Sequence, residues 1–445
     1  MKLKSILLLF FAMLCCAIPS MAQGVSQPVI STGNTAWMIV AAGLVLLMSI
    51  PGLALFYGGL VRQKNILNVL LMCFVAVAII TLQWVLFGYS LTFGSSDGLL
   101  SPFIGGFDWA FLKGIGINDV SPYYVSQEHE RIPHLLFVIY QCMFAVITPA
   151  LIIGAFAERI NFGGYVLFIL LWATFVYDPV AHWMWSTDGW LYKMGALDFA
   201  GGTVVHINAG IASLVAALVV GKRRHYMNTP LPPHNIPFVA IGTGLLWFGW
   251  IGFNAGSGLA ADGLAVNAFL VTHVAAATAA VTWMALDWIL NGKATIVGVA
   301  TGAVAGLATI TQAAGFVDVR SAFIIGIIAS VVCFWMVGFI KVRFGYDDTL
   351  DAFGVHGIGG ILGCILTGVF ASPSIQNYSG LLYGNTHLIW VQFIAGSVTL
   401  VYSGVVTFLI FKLVDKLVGI RVNDKNEAIG LDFSLHREVA YTSID

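Results

Sequence analysis

Long apolar stretches recur along this chain, and they constrain its fold more than any other feature. Eleven of them lie between residues 36 and 413, each close to the roughly 20 residues with which a helix crosses a hydrocarbon core of about 30 Å. Hydrophobic residues make up 59% of the sequence and charged residues only 9%, whereas a soluble domain carries about 25% charged residues. We therefore expect an all-α membrane protein with eleven transmembrane helices.

The order of these stretches predicts how the helices are organised. They fall near residues 36–60, 66–92, 132–156, 163–185, 201–220, 236–259, 266–290, 297–316, 321–341, 350–371 and 388–413. The first five (36–220) and the next five (236–371) form blocks of equal number, and a block with an odd number of helices inserts its second copy upside down. The pattern predicts a 5+5 inverted repeat followed by a last helix at 388–413.

The two ends of the chain differ from this core. Residues 1–22 combine Lys2 and Lys4, an apolar segment and a small-residue cleavage site at Ser20–Ala22, which is the pattern of a cleaved signal peptide. The membrane domain then spans residues 23–416, and residues 417–445 form a polar tail. Cleavage would place the mature N-terminus outside, so eleven helices would leave the C-terminus in the cytoplasm.

The distribution of basic residues tests this topology independently. Fourteen of the 20 Lys and Arg residues fall in segments predicted to be cytoplasmic and four in segments predicted to be external, which agrees with the positive-inside rule. The external four are Lys113, Arg131, Lys193 and Arg320. We expect a multi-pass protein of the bacterial inner membrane.

Several classes of site are disfavoured by what the sequence contains. The four cysteines of the mature chain lie in apolar runs without CxxC spacing and are expected to be buried thiols rather than disulfides or metal ligands; they are Cys73, Cys142, Cys333 and Cys364. A net charge of −1 argues against nucleic acid as a partner. We expect no metal, no cofactor and no enzymatic activity.

Two histidines inside apolar spans are the strongest candidates for function, because ionisable groups in a membrane are costly. His206 lies about 12 Å beyond Asp198 along its helix, and His356 lies about 7.5 Å beyond Asp351. If the repeat is inverted, the two imidazoles approach the bilayer centre from opposite faces and could share a proton. Two alternatives stay open on spacing alone, namely buried histidines satisfied by neighbouring carbonyls and, less favoured, haem ligands. His273, which has no obvious partner, is expected to be a satisfied core histidine.

The sequence around these histidines resembles the ammonium transporter family, the Amt/Mep/Rh group. The matching motifs are DFAGGTVVHIN at residues 198–208, LFYGGL at 55–60, AERI at 157–160, GFNAGS at 252–257, FGVHG at 353–357, and GLD with AY in the tail at 430–432 and 440–441. They occur in order along essentially the whole mature chain. The resemblance implies a homotrimer with one pore in each subunit.

The resemblance also implies roles for individual residues. His206 and His356 resemble the paired pore histidines. Trp172, Phe144 and Ser257 resemble an outer site that recruits ammonium, and Tyr140 stands where some relatives have Phe. Phe144 and Phe253 resemble two stacked phenyl groups that close the pore, and Asp198 resembles an acidic residue that supports the outer site. For any single one of these aromatic residues, the commoner reading without the family is a membrane-interface position.

Physical chemistry favours ammonia over ammonium as the conducted species. An ion that reaches the bilayer centre gives up its hydration water, at a large cost in free energy unless polar groups replace that water. The sequence offers phenyl rings, aliphatic side chains and imidazoles there. Potassium cannot shed a proton and would be left at the entrance. The sequence leaves open whether the released proton crosses separately and whether the protein senses ammonium or couples transport of a small amine to an ion. Methylammonium is a plausible analogue.

The tail departs from its relatives at one position. Relatives often have His-Gly-Glu where this chain has His436, Arg437 and Glu438. The resemblance implies that the tail contacts neighbouring subunits and a PII-type regulatory protein. Because Gly adopts backbone conformations that Arg adopts only at a cost, the geometry at Arg437 decides how well this implication holds.

Overall fold

The computed structural model describes residues 29–123 and 130–441, and within them it is almost entirely helical. Ten of its helical segments are long and apolar enough to cross a membrane. They are Thr32–Leu60, Gln63–Phe93, His134–Phe156, Phe162–Lys193, Gly202–Val220, Ile236–Gly256, Gly263–Asn291, Val319–Phe344, Phe353–Phe370 and Thr386–Val418. The predicted signal peptide lies outside the described residues.

The segment predicted as the eighth span, 297–316, differs from the others. Its helix is Ile296–Ile310, only 15 residues or about 22 Å long. The chain continues through residues 311–316 as buried turns, because polar side chains there bond to neighbouring helices and loops. Thr311 accepts a hydrogen bond from the Trp250 indole at 2.9 Å, and Gln312 donates to the Leu197 carbonyl at 2.7 Å. The described chain thus has ten long spans and one shorter apolar helix.

The remaining elements are short. Two parallel strands, β1 (Val29–Ile30) and β2 (Glu130–Arg131), pair in register Val29 with Glu130. The first long helix leaves helical geometry at Ile50, ahead of Pro51. Short helices form one end of three of the spans, at Gln63–Asn65, Trp190–Lys193 and Lys341–Phe344. Others lie between or after the spans, at Ala110–Leu112, Leu381–Tyr383, Asp424–Ile429 and Leu431–His436.

Loops that the sequence places on the cytoplasmic side are in direct contact with one another and with the tail. Glu158 is the centre of this layer: it is fully buried, and its carboxylate accepts from Arg62 Nε at 3.0 Å and Arg223 Nη1 at 3.0 Å. Arg223 also binds Asp347 at 2.9 Å. Burial raises the pKa of Glu158, but the two guanidinium groups outweigh burial and leave the pKa below its ordinary value.

Arg159 is buried beside this network and holds the same layer together through neutral acceptors. Its guanidinium donates to carbonyls of Ala155, Asp347 and Gly221 at 2.9, 2.6 and 2.7 Å. The side chains of Glu158 and Arg159 thus lie inside the protein rather than in solvent. A buried charge persists in this way only when it is paired or hydrogen-bonded.

The tail packs back onto these loops. Asp432 accepts from the backbone N–H groups of Leu67 and Asn68 at 3.1 and 2.8 Å, at the start of a membrane helix. Arg421 forms a 2.8 Å ion pair with Glu427. Arg437 ends the helix Leu431–His436 in the left-handed conformation, with φ of 58°, which explains why glycine suits this position in relatives.

Cys73, Cys142, Cys333 and Cys364 are buried, as predicted, and their thiols are free. A free cysteine commonly packs in this way, as a small apolar side chain in the interior. They form no disulfide, and no group of three or more potential metal ligands occurs within the described ranges 29–123 and 130–441.

We expect Glu158→Gln to destabilise the fold by about 3 kcal/mol, because Arg62 loses its counter-charge and Arg223 keeps only Asp347. Because the pKa of Glu158 is lowered in the folded state, its contribution to the free energy of unfolding should be fully present above a pH of about 4.3. This contribution should disappear as the pH falls below the pKa that Glu158 has in the folded state. Unfolding followed by tryptophan fluorescence in detergent measures both effects.

The matched control is Asp188→Asn, which removes the half-exposed partner of Lys193 and should cost less than about 1 kcal/mol. Equal effects of the two substitutions would contradict the importance assigned to the Glu158 network.

Candidate functional site

The helix that carries His206 begins at an unusually well-bonded carboxylate. Asp198 Oδ1 accepts from the N–H groups of Gly201 and Gly202 at 2.7 and 2.8 Å. Its Oδ2 accepts from Thr203 and Val204 at 2.9 and 3.0 Å. The chain can fold back over the carboxylate because Gly201 has φ of 106°, a conformation open to glycine. Four donors that helix geometry leaves unpaired are thereby satisfied.

A second carboxylate plays the same part at the helix that carries His356. Asp348 accepts from the N–H groups of Ala352 and Phe353 at 3.1 and 2.8 Å. The sequence interpretation that matched Asp198 with Asp351 is therefore wrong: Asp351 has φ of 61° and pairs with Lys341 instead. The true match gives the same spacing of eight residues from carboxylate to histidine in both helices, a signal that was present in the sequence.

His206 and His356 lie against each other, as their spacing predicts. Their ring centroids are 5.2 Å apart and their planes differ by 16°, and both side chains are buried. Both nitrogens of His206 and Nδ1 of His356 have no hydrogen-bond partner among the described residues. The alternative in which neighbouring carbonyls satisfy each ring is therefore wrong.

Aromatic rings continue the stack away from the histidines. Phe253 lies 6.1 Å from the His206 ring, and Phe144 lies 4.3 Å from Phe253. We call Phe144, Phe253, His206 and His356 the ring column. The Trp250 ring, which we do not count in the column, also stacks on the His206 ring, with the ring centroids 5.5 Å apart.

One end of the ring column opens into a cavity of about 460 Å³, the large cavity. Phe144 forms part of its wall, together with Gln141, Trp185, Asp198 and Ser257. Phe144 and Trp185 meet edge to face at 5.6 Å. Burial raises the pKa of Asp198 to about 6, although the four backbone N–H groups act in the opposite direction, so the carboxylate is the main form at neutral pH.

The prediction that Trp172 belongs to the outer site is wrong, because Trp172 does not lie at the large cavity. Trp172 is fully buried, and its indole donates to Thr407 at 2.9 Å; it is not among the residues that line the large cavity. Trp185 occupies that wall instead. Its indole N–H donates to the Asp198 carbonyl at 3.0 Å, which fixes the ring in the cavity wall.

Tyr140 supports the large cavity from behind rather than lining it. It is fully buried, its hydroxyl donates to the Phe253 carbonyl at 2.9 Å, and it lies 3.3 Å from Ser257 Oγ. Ser257 donates to the same carbonyl at 2.9 Å and lies in the cavity wall. Tyr140 and Ser257 thus share one backbone acceptor, and an oxygen lone pair of Ser257 is available to an N–H donor.

The other end of the ring column opens into a cavity of about 180 Å³, the small cavity. His356 and Val355 form its inner end, while Tyr57, Arg223 and Asp351 contribute elsewhere to its wall. It therefore lies on the side of the tail. The ring column thus lies between the two cavities, with Phe144 at the large cavity and His356 at the small one.

Three residues of the site were not identified from the sequence, namely Gln141, Trp250 and Trp185. Gln141 precedes Phe144 by three positions and Trp250 precedes Phe253 by three, so helix periodicity alone would have placed each pair on one face. Trp185 has no comparable local signal, because a fold-back of the chain brings it to Asp198. His273, expected inside, is exposed on Gly263–Asn291, with its ring 5.4 Å from Trp247, and lies outside the ring column.

Comparison with known proteins agrees across nearly the whole chain. Residues 36–441 match the model of the Ammonium Transporter Family. An ammonium transporter of Bacillus subtilis is 49% identical over 411 residues, covering 92% of this chain and 98% of the relative. One from Aquifex aeolicus is 50% identical over 418 residues, covering 94% and 95%.

Solved structures agree as well. The crystal structure of Saccharomyces cerevisiae Mep2 has a TM-score of 0.81 at 33% identity and covers 89% of this chain and 88% of its own. A sensor Amt protein has a TM-score of 0.82 at 29% identity, covering 91% and 98%.

The carboxylate at the start of the His206 helix should be more important for stability than an ordinary helix cap. We expect Asp198→Asn to cost about 2 kcal/mol, because an amide offers one acceptor oxygen to four donors and turns its own N–H groups toward them. Thermal unfolding in detergent measures the loss.

Asp262→Asn is the matched control. Asp262 caps Gly263–Asn291 through a single bond to Ala265 N, and asparagine caps a helix as well as aspartate does. A change beyond about 0.5 kcal/mol at Asp262, or none at Asp198, would go against this interpretation of the site.

Proposed function

This chain belongs to the Ammonium Transporter Family, and from that premise we propose that it recruits ammonium in the large cavity, removes a proton and conducts ammonia through the ring column. The large cavity would face outside and the small cavity the cytoplasm, in a bacterial inner membrane. The observation that carries the proposal is the continuous stack of Phe144, Phe253, His206 and His356 between two cavities.

Recruitment is supported by the chemistry of the large cavity. The faces of Trp185 and Phe144 attract a cation through their quadrupoles, and Ser257 offers a hydroxyl oxygen. Asp198 contributes a fixed negative charge nearby, although its oxygens are already hydrogen-bonded to the helix start. In this proposal Trp185 takes the role that the sequence interpretation gave to Trp172, and Tyr140 positions Ser257.

Conduction of the neutral species follows from the polarity of the ring column. A cation that passes two phenyl rings would lose its water without a replacement cage, at a cost of many kcal/mol. Ammonia loses far less, and the unpaired nitrogens of His206 and His356 can exchange hydrogen bonds with it. We further propose that the proton is transferred separately from ammonia.

Assembly and regulation belong to the same proposal. The family implies a homotrimer with one pore in each subunit, eleven helices built as a 5+5 inverted repeat plus a last helix, and a cytoplasmic tail. The equal spacing of Asp198 to His206 and Asp348 to His356 supports the repeat. A PII-type protein is the proposed partner of the tail.

A second candidate function is sensing of ammonium. It is favoured by one finding, the similarity over 91% of this chain to a sensor Amt protein. Binding in the large cavity without flux through the ring column would support sensing over transport.

Replacing either column histidine should change transport selectively. In proteoliposomes we expect His206→Ala and His356→Ala each to alter the ammonium flux, or its ratio to potassium flux, at least about tenfold, which corresponds to 1.4 kcal/mol. Stopped-flow pH change reports the flux, and current on supported liposomes after an ammonium jump reports separate proton transfer.

The control is His387→Ala, an exposed histidine at the start of the last helix, which should behave as wild type. Potassium flux through the unmodified protein equal to its ammonium flux would refute conduction of the neutral species.

Recruitment should depend on Trp185 and not on Trp172. Trp185→Leu removes a cation–π contact of about 0.5–2 kcal/mol, so we expect the ammonium concentration for half-maximal flux to rise about 2- to 30-fold. Methylammonium uptake under competing ammonium provides an independent measure.

Trp172→Phe keeps an aromatic ring in the buried position and removes only the bond to Thr407. The ammonium concentration for half-maximal flux through Trp172→Phe should equal that of wild type. If Trp172→Phe raised the ammonium concentration for half-maximal flux and Trp185→Leu did not, Trp172 rather than Trp185 would belong to the recruitment site.

A further inference from the structure

A carboxyl group that the proposed transport mechanism does not use lies inside the membrane-spanning region. Asp178 belongs to the helix Phe162–Lys193 and Gln83 to the helix Gln63–Phe93; both are essentially fully buried. Gln83 Nε2 donates to Asp178 Oδ2 at 2.7 Å. Neither residue lines the large or the small cavity, so the pair lies apart from the conduction route.

Each partner keeps one unpaired acceptor. Asp178 Oδ1 and Gln83 Oε1 are buried and have no hydrogen-bond partner in the described part of the chain. An ionised carboxylate offers acceptors only, whereas a neutral carboxylic acid has one O–H donor. One proton on Oδ1 would satisfy both atoms, because it completes a second bond parallel to the first. Turning the carboxamide over exchanges the two oxygens of Asp178 but still requires one proton.

The surroundings do not compensate a negative charge. Within the described residues, none of the ion pairs involves Asp178. Among the titratable groups around it, Tyr177 is adjacent, and Cys142 and Asp198 interact with Tyr177. His182 lies one helical turn further along, and its ring nitrogens face the carbonyls of Thr92 and Ser101 rather than Asp178. On the other side of Asp178, Gln83 borders an apolar groove on the membrane face. A charge left there would carry the penalty of an unpaired ion in a membrane.

The backbone is shaped to bring the two side chains together. A π-helical turn, Trp84–Gly88, directly follows Gln83, and another, Ala173–Tyr177, directly precedes Asp178. Such widened turns are rare and are often found where a helix presents a specific side chain. At Gly88 a Cβ atom would lie 2.5 Å from Gln83 Oε1, so glycine leaves the room that the carboxamide occupies.

We propose that Asp178 is a neutral carboxylic acid joined to the Gln83 carboxamide by two parallel hydrogen bonds, a proton-binding site inside the membrane that is separate from the ring column. The proton enters from water as the protein folds and stays on Oδ1. The pair then fastens the helix Gln63–Phe93 to the helix Phe162–Lys193 with no net charge in the interior.

Infrared spectroscopy of the full-length protein in liposomes tests the protonation state directly. At neutral pH we expect the carbonyl stretch of a protonated carboxylic acid, which shifts in D₂O and disappears in Asp178→Asn. In Gln83→Leu the band should persist and move to higher frequency, because the carbonyl loses its hydrogen bond. Asp287→Asn is the control: both oxygens of Asp287 are hydrogen-bonded, to Asn291 and Thr295, so the band should be unchanged.

Thermal stability provides the second measurement. The amide introduced by Asp178→Asn can form the same two bonds to Gln83 as a neutral acid, so this variant should melt as wild type does, whereas Asp178→Ala should melt at a lower temperature. Absence of the acid band in wild type overturns the proposal and would indicate a carboxylate bridged by water. A lower melting temperature for Asp178→Asn, with stabilisation of wild type by sodium or potassium, overturns it in favour of a cation site. None of these measurements uses ammonium, so they succeed or fail independently of the transport proposal.

Discussion

Charge is costly inside a membrane, and this cost governs the route between the two cavities. On the proposed route, a cation that leaves the large cavity meets the phenyl rings of Phe144 and Phe253, which offer no oxygen atoms to replace its water. The two imidazoles beyond them are buried with most of their nitrogens unpaired, so they can bond to a small neutral donor and acceptor. In the proposed mechanism the ring column would therefore discriminate by charge state in addition to size.

The same cost explains how the protein handles its own ionisable groups. Asp198 and Asp348 are placed at helix starts, where backbone N–H groups and the helix dipole compensate them. Glu158 is compensated by the guanidinium groups of Arg62 and Arg223 in the layer beside the tail. Asp178 has neither form of compensation, and for this reason a neutral acid is the state that its surroundings support.

The tail, the loop layer and the small cavity form one connected unit. Glu427 accepts from the backbone of Arg224 at 2.6 Å, and the neighbouring Arg223 binds Glu158 and also lines the small cavity. A change in the docking of the tail would therefore act on residues that surround the small cavity. Arg437 remains compatible with docking because its left-handed backbone is the one that glycine would adopt.

Composition and local spacing are enough to predict the membrane environment, the helical class and the two central histidines, because these properties add up along the chain without reference to distant contacts. Three features instead depend on residues far apart in sequence: which tryptophan lines the large cavity, which aspartate caps the His356 helix, and where the eighth apolar segment ends its helix. Trp185 reaches the cavity because the chain folds back to Asp198, and Trp172 is withdrawn because Thr407 binds its indole. Cavity walls are set by how helices cross, and no local pattern encodes the crossing.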